Sequence, residues 1–520
     1  MSFDGMVTKS SSSNPLSGGR VDLSEWVTLN YAISFILVVV SLIWASWPGA
    51  LSRSKPMVPG VYVVGGSNRN EMKATAKRFR SESKTLIREG YNHTKGHEPF
   101  YVPSNLGPRL IIPTRYMEEL KSAPMDKVDF VGTVHEVFEF DYTGVVHRSR
   151  TVPNTLISHL TPNLPKIMPE VQDELKVAIH EELPSCDDWT EVEIMPCMSR
   201  VITRATSRMA GGKALAHDPE WVTAAISYAL TAFNASQKIK SIPWLVRRLV
   251  APWISEIRKD IPWCFSVAAR ASIPILEHRE RTGEDATDFL QFLKDNTKDG
   301  ERENSFISHL LLMMAFASTH SSVLTIGALI YDLCAYPELV DIMREEYEGI
   351  VDKDGNVPVG EFNKMVKMDS IMKESQRISP ITVLTFERIF TEDKTLRDGF
   401  TIPAGSQIGV PNFQIGMDPK FYSNPEKFDP LRFEKLRNDP NRANKTQFVS
   451  AHAQSMSFGY GRHSCPGRQF MDQECKAFLV KLLTNYDLKF KDGQKRQLNV
   501  PFNNQYVLQR VPIMIKRRNI

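Results

Sequence analysis

The chain has 520 residues, of which 42% are hydrophobic, and this is enough for a large buried core. Its 64 Lys and Arg residues nearly balance its 60 Asp and Glu residues, and the net charge of +4 argues against nucleic-acid binding. The six cysteines form no CxxC pair and have no regular spacing, which argues against a disulfide framework and favours a reducing compartment.

The first predicted element is a membrane anchor over residues 26–47, which follows a disordered tail over residues 1–25. No charged residue occurs in 26–51, and this apolar stretch is long enough to span a bilayer. Arg53 and Lys55 follow it, so the positive-inside rule predicts that the bulk of the chain faces the cytosol. The alternative is a cleaved signal peptide, for which the stretch is long and lacks an obvious cleavage site.

A proline- and glycine-spaced segment over residues 48–62 predicts a stiff hinge. The remaining residues, 63–520, are predicted to form one domain because no linker divides them. Helical periodicity predicts a helix over 71–95 and dominates 165–350. Residues 125–145 show no regular period and predict a long loop.

Short strands are predicted at 109–113, at 383–411 and from about residue 484 onward. Asp398 and Gly399 stand between two of these strands, and this dipeptide is a strong signal for a hairpin turn. The predicted fold class is therefore mainly α with a small β portion.

The most informative motif is a glycine-rich loop around Cys465, residues 458–468, which we call the cysteine loop. A zinc site would need several more ligands, and a disulfide would need a partner and an oxidising compartment. A thiolate that is the single protein ligand of a haem iron needs a tight loop, backbone N–H groups and a nearby cation, all of which this loop can supply. The alternative is a glycine-rich turn that holds a structural cysteine.

The pattern of Phe458, Gly461, His463, Cys465 and Gly467 resembles the haem-binding signature of the cytochrome P450 family. The resemblance implies that Cys465 is the axial ligand of a haem b and that the other four residues belong to the haem site. It also implies a P450-like fold behind a single N-terminal transmembrane helix. Within the family, the motifs are most similar to fungal P450s of secondary metabolism, a group that includes ent-kaurene oxidase and fungal steroid hydroxylases.

A second motif is the pair Glu374 and Arg377, which are three residues apart and share one face of a helix. In isolation such a pair is most simply a surface ion pair of little energetic value. The resemblance implies instead that Glu374, Arg377 and the later Arg432 form a charged network that supports the haem pocket, and a buried set of this kind must be fully paired.

A third motif lies in an apolar helical run, where residues 317–322 are small or hydroxylic. The simple interpretation is a core helix whose hydroxyls bond back to its own carbonyls. The resemblance implies a proton relay in which Ser321 supplies the hydroxyl. His320 stands where the family usually has a carboxylate, and its pKa near neutrality makes it a candidate second member of the relay.

The resemblance also implies that a haem propionate is bound by Arg388, with His463 as a second contact. One family feature is missing: a Trp-x-x-x-Arg propionate contact is expected near residues 140–165, but this interval has no tryptophan. It contains His147, Arg148, Arg150 and His159.

The predicted function is a monooxygenase that inserts one oxygen atom from O2 into a bulky lipophilic substrate of terpenoid, steroid, indole-diterpene or meroterpenoid type. The chain has no nucleotide-binding fingerprint, so electrons from NADPH are predicted to arrive through a separate membrane-bound NADPH–cytochrome P450 reductase, with cytochrome b5 as a further candidate donor. Arg462, Arg468 and Lys476 are candidate residues of the docking face, with ordinary solvated charge as the alternative. The predicted location is the endoplasmic reticulum membrane, with the catalytic domain in the cytosol.

Four regions are predicted to contact the substrate: Val128–Tyr142, Met313–Ala317, Ile381–Thr385 and Asn503–Leu508. The segment Ile242–Trp253 mixes tryptophan, aliphatic residues and arginine, and is either a membrane-surface segment or a buried helix. Two other functions stay open at this stage. One is a P450 that desaturates, rearranges or oxidises its substrate in several steps, and the other is a haem-binding membrane protein without turnover.

Overall fold

The computed structural model describes residues 30–31, 33–38, 41, 55–298, 301–497 and 499–518. The chain divides into two compact units, of which the first ends at Ser54 and the second begins at Lys55. The described residues of the first unit are helical and exposed. The predicted tail, most of the predicted anchor and residues 48–54 of the hinge lie outside the described residues, so the anchor stays a prediction.

One described helix, Asn304–Ala335, is long and apolar enough to cross a membrane by length and composition. Of its most apolar window, 61% is buried inside the protein, which is typical of a core helix. We call it the long helix. Because it is apolar around most of its circumference, it is stable only when other elements surround it.

The second unit is mainly helical, with 58% helix and 10% strand over the chain, which confirms the predicted fold class. Its α-helices are Arg69–His93, Met117–Leu120, Phe130–Phe138, Phe140–Thr143, Thr151–Thr155, Thr161–Glu182, Ile194–Ala216, Pro219–Ser241, Trp244–Val250, Ile261–Thr282, Phe289–Asn296, the long helix, Glu338–Glu348, Val366–Ile378, Asn412–Gly416, Arg432–Arg437 and Arg468–Asn485. Single turns of 3-10 or π helix are at Thr114–Tyr116, Leu156–Leu160, Ala251–Trp253, Glu256–Asp260, Glu361–Lys364, Ala443–Lys445 and Gly461–His463.

The largest sheet has six strands in the order β1-β2-β3-β9-β6-β4. Three smaller groups pair β10-β13-β5, β11-β12 and β7-β8. The strands are β1 Tyr62–Val63, β2 Phe100–Ser104, β3 Gly107–Ile111, β4 Val128–Asp129, β5 Thr190–Val192, β6 Thr385–Phe390, β7 Lys394–Thr395, β8 Thr401–Ile402, β9 Gln407–Val410, β10 Tyr486–Lys489, β11 Val500–Phe502, β12 Gln505–Val507 and β13 Ile513–Arg517.

The main hydrophobic core is built from the helices, with the long helix at its centre. Phe316 and Leu324 of that helix and Cys465 of the cysteine loop all pack against the same cluster. Two smaller clusters lie against the six-stranded sheet. The fold therefore holds the long helix and the cysteine loop against one continuous core.

Most of the predicted elements are confirmed. The helix predicted at 71–95 is Arg69–His93, where Asn68 accepts hydrogen bonds from the first-turn N–H groups and Glu71 completes the capping box. The strand predicted near 109–113 is β3. The hairpin predicted at Asp398-Gly399 joins β7 to β8, and Gly399 has a φ of +88°, which a residue with a side chain adopts only under strain.

The loop predicted over residues 125–145 is wrong, because the structure has β4 and two helices there. The helix Phe130–Phe138 begins with the carboxylate of Asp129 accepting from the N–H of Gly132 at 2.8 Å. Glu139 then takes a left-handed φ of +52° before the helix Phe140–Thr143. This break interrupts the helical period, so the pattern gave no clear helical signal.

Candidate active site

The cysteine loop is fixed by backbone contacts on two sides. The N–H of Cys465 donates to the carbonyl of Phe458 at 2.7 Å, and the N–H of Arg462 donates to the carbonyl of Lys121 at 3.0 Å. Gly461 has a φ of +72°, and a Cβ at this position would overlap the Lys121 carbonyl. The loop therefore requires glycine at Gly461 both for its backbone conformation and for its close approach to a neighbouring segment.

Cys465 stands just before the N-terminus of the helix Arg468–Asn485, and the N–H groups of Gly467 and Arg468 point at its sulfur. Burial raises the pKa of the Cys465 thiol, and these N–H groups with the Arg468 charge oppose that shift. The residue is surrounded by protein and yet keeps accessible surface, as expected where a side chain borders an internal space. A Cβ on Gly467 would meet no atom within 4 Å outside its chain neighbours, so the loop borders open space at this glycine.

Glu374, Arg377 and Arg432 form one buried ion network, which we call the closed network. Arg377 donates to both oxygens of Glu374 at 2.8 and 2.7 Å, and Nε of Arg432 lies 3.1 Å from Oε2 of the same carboxylate. The N–H of Asp429 adds a further bond to Glu374 at 2.9 Å. Glu374 is fully buried, and both guanidinium groups also donate to backbone carbonyls. The structure thus brings together the three residues that the sequence pattern predicted.

Arg388, His463 and Phe130 meet at a second buried charged position, which we call the open corner. Arg388 is only 3% exposed, and its guanidinium lies 4.9 Å from the ring of Phe130, which is 5.3 Å from the ring of His463. Among the described residues, its one hydrogen bond goes to the carbonyl of Glu387. The Glu387 carboxylate itself pairs with Arg109 and Asn504. Within the described residues, no carboxylate forms an ion pair with Arg388.

The electrostatics of the open corner reflect this missing anion. Burial lowers the pKa of Arg388 to about 10. Burial, followed by the charges of Arg388 and Arg150, lowers the pKa of His463 to about 4. Nε2 of His463 is buried and has no hydrogen-bond partner within the part of the chain that the structure describes. Two polar groups at this corner thus lack the anionic or acceptor partner that burial normally demands.

The long helix presents small polar residues on one face. Ala317 is exposed and Ser321 is half-buried, although Met313, Met314 and Ala315 just before them are buried. These two residues are four apart and share a face. The Ser321 hydroxyl donates to the carbonyls of Ala317 at 2.9 Å and Ser318 at 3.1 Å, as the predicted back-bonding requires.

His320 points away from this face. Its Nε2 lies 2.8 Å from the carbonyl of Ile226 on the helix Pro219–Ser241, and burial lowers the pKa of the ring. A neutral imidazole that donates to this carbonyl joins two helices, and the bonded nitrogen is not free to pass a proton. The structure therefore places Nε2 of His320 in a contact between two helices, about 100° around the long helix from Ser321, and its role in a relay stays a prediction.

A cavity of about 150 Å³ lies beside the open corner, with Phe130, Thr133, Val134, Val137 and Phe138 on one wall. Thr382 and the segment Asn503–Gln505 line another side, so three of the four predicted substrate regions meet in one cavity. The fourth region touches it indirectly, because the ring of Phe316 on the long helix packs on Phe138 at 4.9 Å.

The predicted docking residues differ from one another in the structure. Arg462 is exposed, and Arg468 is half-buried and donates to the carbonyl of Cys465 at 2.8 Å. Lys476 is 1% exposed and pairs with Asp369 and Asp472, each at 2.9 Å. The prediction that Lys476 belongs to a docking face is therefore wrong, because a buried ion pair holds its ammonium group inside the protein.

Two site residues were not singled out by sequence reasoning. Arg150 lies in the interval that lacks a tryptophan, and its charge is close enough to His463 to lower the pKa of that ring. Lys240 lines the cavity from the helix Pro219–Ser241. A signal for Lys240 was available, since it lies four residues after the buried Ser236 and one after the buried Ile239, on the apolar stripe of the helix.

Comparisons with known proteins agree with this geometry. The family model described as Cytochrome P450 matches residues 146–517. Cytochrome P450 monooxygenase BOA4 of Botryotinia fuckeliana (strain B05.10) is 30% identical over 446 residues, which cover 84% of this chain and 90% of that protein. Ent-kaurene oxidase of Gibberella intermedia is 30% identical over 452 residues, which cover 85% of each chain.

A third relative, Cytochrome P450 monooxygenase ORF5 of Penicillium roqueforti (strain FM164), is 30% identical over 517 residues, covering 95% of this chain and 93% of that protein. Among solved structures, retinoic acid-bound cyanobacterial CYP120A1 has a TM-score of 0.66 at 16% identity. It covers 89% of this chain and 100% of its own, and this likeness shows the fold. The chain therefore belongs to the cytochrome P450 family of monooxygenases, whose fold implies a haem cofactor and whose members generally need a redox partner and a lipophilic substrate.

Proposed function

We propose that this P450 inserts one oxygen atom from O2 into a bulky lipophilic substrate of secondary metabolism, at a haem b whose iron is bound by Cys465. The second oxygen atom leaves as water after two electrons and two protons are taken up. The electrons derive from NADPH through a separate reductase. The observation that carries the proposal is the cysteine loop, which points two backbone N–H groups at the thiol of Cys465 and borders open space at Gly467.

The residues around Cys465 fit a haem. Its iron needs an axial thiolate, and Cys465 supplies one on a rigid loop. Its propionates need buried cations or hydrogen-bond donors, and the open corner offers Arg388 without an ion-pair partner among the described residues and His463 with an orphaned Nε2. Gly467 leaves space where a side chain would otherwise stand, in the same loop as the sulfur. When bound, the haem supplies dioxygen activation, and thiolate ligation favours cleavage of the O–O bond.

Ser321 is the group we propose for moving protons on the distal side. Its hydroxyl is held by two carbonyls of its own helix and shares a half-exposed face with Ala317. The lone pairs of this hydroxyl are available to accept from water, and a relay step would need its one proton to turn from the helix carbonyls toward the distal side. The rest of the relay is then water.

The proposed substrate class follows from the cavity and from the relatives. Phenylalanine and valine side chains form much of the wall beside the open corner, which suits a lipophilic skeleton. One relative is named ent-kaurene oxidase, and others are named as fungal P450 monooxygenases. We therefore propose a terpenoid, steroid, indole-diterpene or meroterpenoid substrate. Product analysis under 18O2 separates insertion from desaturation or rearrangement, which leave no label in the product.

We also propose that the domain lies on the cytosolic face of the endoplasmic reticulum membrane, anchored by residues 26–47. The segment after the helix Pro219–Ser241 supports contact with lipid. Val246, Leu249, Val250 and Trp253 are exposed by 42%, 58%, 43% and 71%. Apolar side chains interleaved with arginines are typical of a segment that lies at a membrane surface.

The topology has a direct test in three acceptor sequons at Asn92, Asn234 and Asn444, whose side chains are all exposed. A cytosolic domain leaves all three bare in a eukaryotic host, and glycosylation of any one places the domain in the lumen. The control is a reporter sequon inserted before residue 26, which is glycosylated if the tail lies in the lumen.

The central test is the absorption spectrum of the purified, dithionite-reduced protein under carbon monoxide. The wild type should show the strongly red-shifted Soret band of thiolate ligation, and Cys465→Ala should lose it. Cys475→Ala is the matched control, because Cys475 is buried about two turns into the next helix and its loss should leave the band unchanged. A band that survives Cys465→Ala would refute the assigned ligand.

A second test addresses Ser321 and the rival of a haem-binding protein without turnover. With reductase present, the wild type should consume NADPH in a substrate-dependent way, which a simple binder does not. Ser321→Ala should lower product per NADPH by about tenfold or more and release hydrogen peroxide instead, since proton delivery is worth about that much. Ser318→Ala is the control on the adjacent turn, and an equal loss in both variants would contradict a specific role for Ser321.

A further inference from the structure

Charged side chains lie in and around the cavity, and most of that charge is internally paired. Lys55 pairs with Glu136 at 2.6 Å, Arg247 pairs with Glu139 at 3.4 Å, and Arg109 pairs with Glu387. Each of these cations therefore has its own carboxylate. The pairs surround one further cation, the ammonium group of Lys240.

Lys240 has no carboxylate of its own. Its Nζ donates to the backbone carbonyl of Val137, and no ion pair joins it to a carboxylate of the residues that the structure describes. An ammonium group carries three protons, so one hydrogen bond leaves two of them without a protein acceptor. Since Lys240 lines the cavity, those protons have only the cavity in which to find one.

The pKa of Lys240 reflects the unfavourable free energy of burying its ammonium group. Burial lowers the pKa of Lys240 to about 8. The carboxylates of Glu139 and Glu136 oppose that shift, and the guanidinium groups of Arg109 and Arg247 add to it. A lysine that is half-desolvated and surrounded by pairs that are already neutral is stabilised by any anion that enters the cavity.

The other groups near Lys240 are suited to the same anion. Gln237 is one turn earlier on the same helix and lines the cavity, as do Asn503, Asn504 and Gln505 from the β11–β12 hairpin. Amide N–H groups donate to carboxylate oxygens, and because the Asn504 amide already donates to Glu387 and to the carbonyl of Leu384, the donors left for an anion are Gln237, Asn503 and Gln505. The Nε of Arg109, a residue that is 2% exposed and lines the cavity, also has no partner among the described residues.

The remaining lining is largely apolar and leads toward the cysteine loop. Phe130 packs against His463 at 5.3 Å, two residues before Cys465, and Phe138 packs against Phe316 of the long helix at 4.9 Å. The cavity therefore combines a cation and amide groups with an aromatic lining that adjoins the proposed reaction site. Such a lining fits a lipophilic molecule that carries one anionic group.

We propose that the substrate of this P450 is a lipophilic carboxylic acid, whose carboxylate is bound by Lys240 with amide donors from Gln237 and the β11–β12 hairpin. The inference rests on the proposed function and narrows it, since a neutral terpenoid or steroid would leave Lys240 without an anion. It makes Lys240 a specificity-determining residue that touches the substrate and takes no part in oxygen chemistry.

The test measures affinity, by equilibrium dialysis of radiolabelled probes against the haem-loaded full chain. The probes are two matched pairs: lauric acid with 1-dodecanol, and abietic acid with abietinol. At pH 7 the wild type should bind at least one acid about tenfold or more tightly than its alcohol, because a charge-assisted hydrogen bond to a buried ammonium is worth that factor. Lys240→Met should abolish the preference, and Lys240→Arg should retain much of it.

Lys238→Met is the matched control. Lys238 is two residues away on the same helix, is exposed, and pairs with Glu256 outside the cavity, so its loss should leave the acid preference intact. If Lys240→Met is too unstable to purify, Lys240→Gln replaces it. A wild type that prefers neither acid, or a preference that survives both Lys240→Met and Lys240→Gln, would overturn the proposal.

The pH profile of binding is a second arm of the test, measured on the wild type and on Lys240→Met. Acid affinity should fall as pH rises from 7 to 9, through the pKa of Lys240, while alcohol affinity stays level. Burial also lowers the pKa of Lys55, so a profile that persists in Lys240→Met would assign the effect to Lys55 and refute the inference. A normal carbon monoxide spectrum in every variant keeps this outcome separate from any failure of the haem-thiolate assignment.

Discussion

The closed network and the open corner hold buried arginines in opposite ways. Arg377 and Arg432 are 7% exposed, and both bind the carboxylate of Glu374, so the protein supplies every partner itself. Arg388 is 3% exposed, and its one hydrogen bond within the described residues goes to a neighbouring carbonyl. Because an unpaired buried charge is costly, the first arrangement stabilises the fold and the second is stable only with an anion from elsewhere. The contrast teaches that a buried cation without a carboxylate marks where a ligand binds.

The largest effect should come from breaking the closed network. Glu374→Gln leaves two buried guanidinium groups facing a neutral amide, and removing one partner of a buried pair costs about 3–5 kcal/mol of the free energy of unfolding. We expect little folded, haem-containing protein, as measured by denaturant unfolding and by haem content. Glu426→Gln is the control, because Glu426 is exposed and has no ion pair among the described residues. Equal stability of both variants would contradict the distinction between the two regions.

The next largest loss of stability should come from Lys476, whose buried charge is also paired within the protein. Lys476→Met leaves Asp472 without its cation, while Asp369 keeps Arg437 at 2.6 Å, so we expect a loss of about 3 kcal/mol in the free energy of unfolding. Arg462→Met is the matched control on the exposed surface. It should leave stability unchanged and raise the reductase concentration needed for half-maximal turnover. A Lys476 variant of wild-type stability with weakened reductase binding would restore the docking interpretation.

The sharpest test of the open corner is a change with two opposite readouts. Arg388→Met removes a cation that lacks a carboxylate, so the haem-free chain should lose little stability or gain some. The haem-loaded protein should lose its haem to apomyoglobin about tenfold faster, since a hydrogen bond to a charged group is worth about 1.5–3 kcal/mol. Arg397→Met, at an exposed arginine, should change neither quantity. If the haem-free Arg388 variant were as unstable as Glu374→Gln, the open corner would belong with the closed network.

The smallest expected effect is the pH dependence of stability that comes from His452, which lies near the helix that carries Glu374. Burial, with Lys373 nearby, lowers the pKa of His452 to about 4. The unfolded ring titrates near 6.5, so the unfolded state binds more protons between these values and stability falls as pH drops from about 6.5 toward 4. His452→Gln should reduce the loss of stability between pH 7 and pH 5 by at most about 2 kcal/mol, measured by urea unfolding at each pH. An unchanged slope would mean that His452 is protonated in the folded state.

Much of the site could be predicted from the sequence because its parts are local in the chain. The cysteine loop holds its glycines and its thiol within ten residues, and Glu374 and Arg377 are one helical turn apart. The structure adds the reason for Gly461, whose missing side chain lets the loop approach Lys121. Arg432 is 58 residues from Glu374, and only the resemblance to the family linked the two in advance.

The incorrect or incomplete predictions share a cause, which is dependence on packing between distant segments. His320 and Ser321 are adjacent, and only the position of the helix Pro219–Ser241 decides that the imidazole binds Ile226 rather than sharing the face of Ser321. Lys476 is one of several basic residues after Cys465. Its ammonium group lies inside the protein because it forms an ion pair with Asp369 of another helix. Within residues 125–145, one helix begins at the Asp129 cap, and the left-handed Glu139 separates it from a second helix. Periodicity alone does not reveal this cap or this break.

The sequence by itself determined the fold class, the family and the thiol that the chemistry needs, because each is encoded in short-range patterns of hydrophobicity, glycine and charge. Only the tertiary structure decided which buried charges are satisfied. In the chain, Lys240, Lys476 and Arg388 are each a basic residue next to at least one apolar residue, and this pattern does not tell them apart. Folding gives Lys476 two carboxylates and leaves the other two cations facing the site, because the cost of a buried charge depends on partners that come from distant parts of the chain.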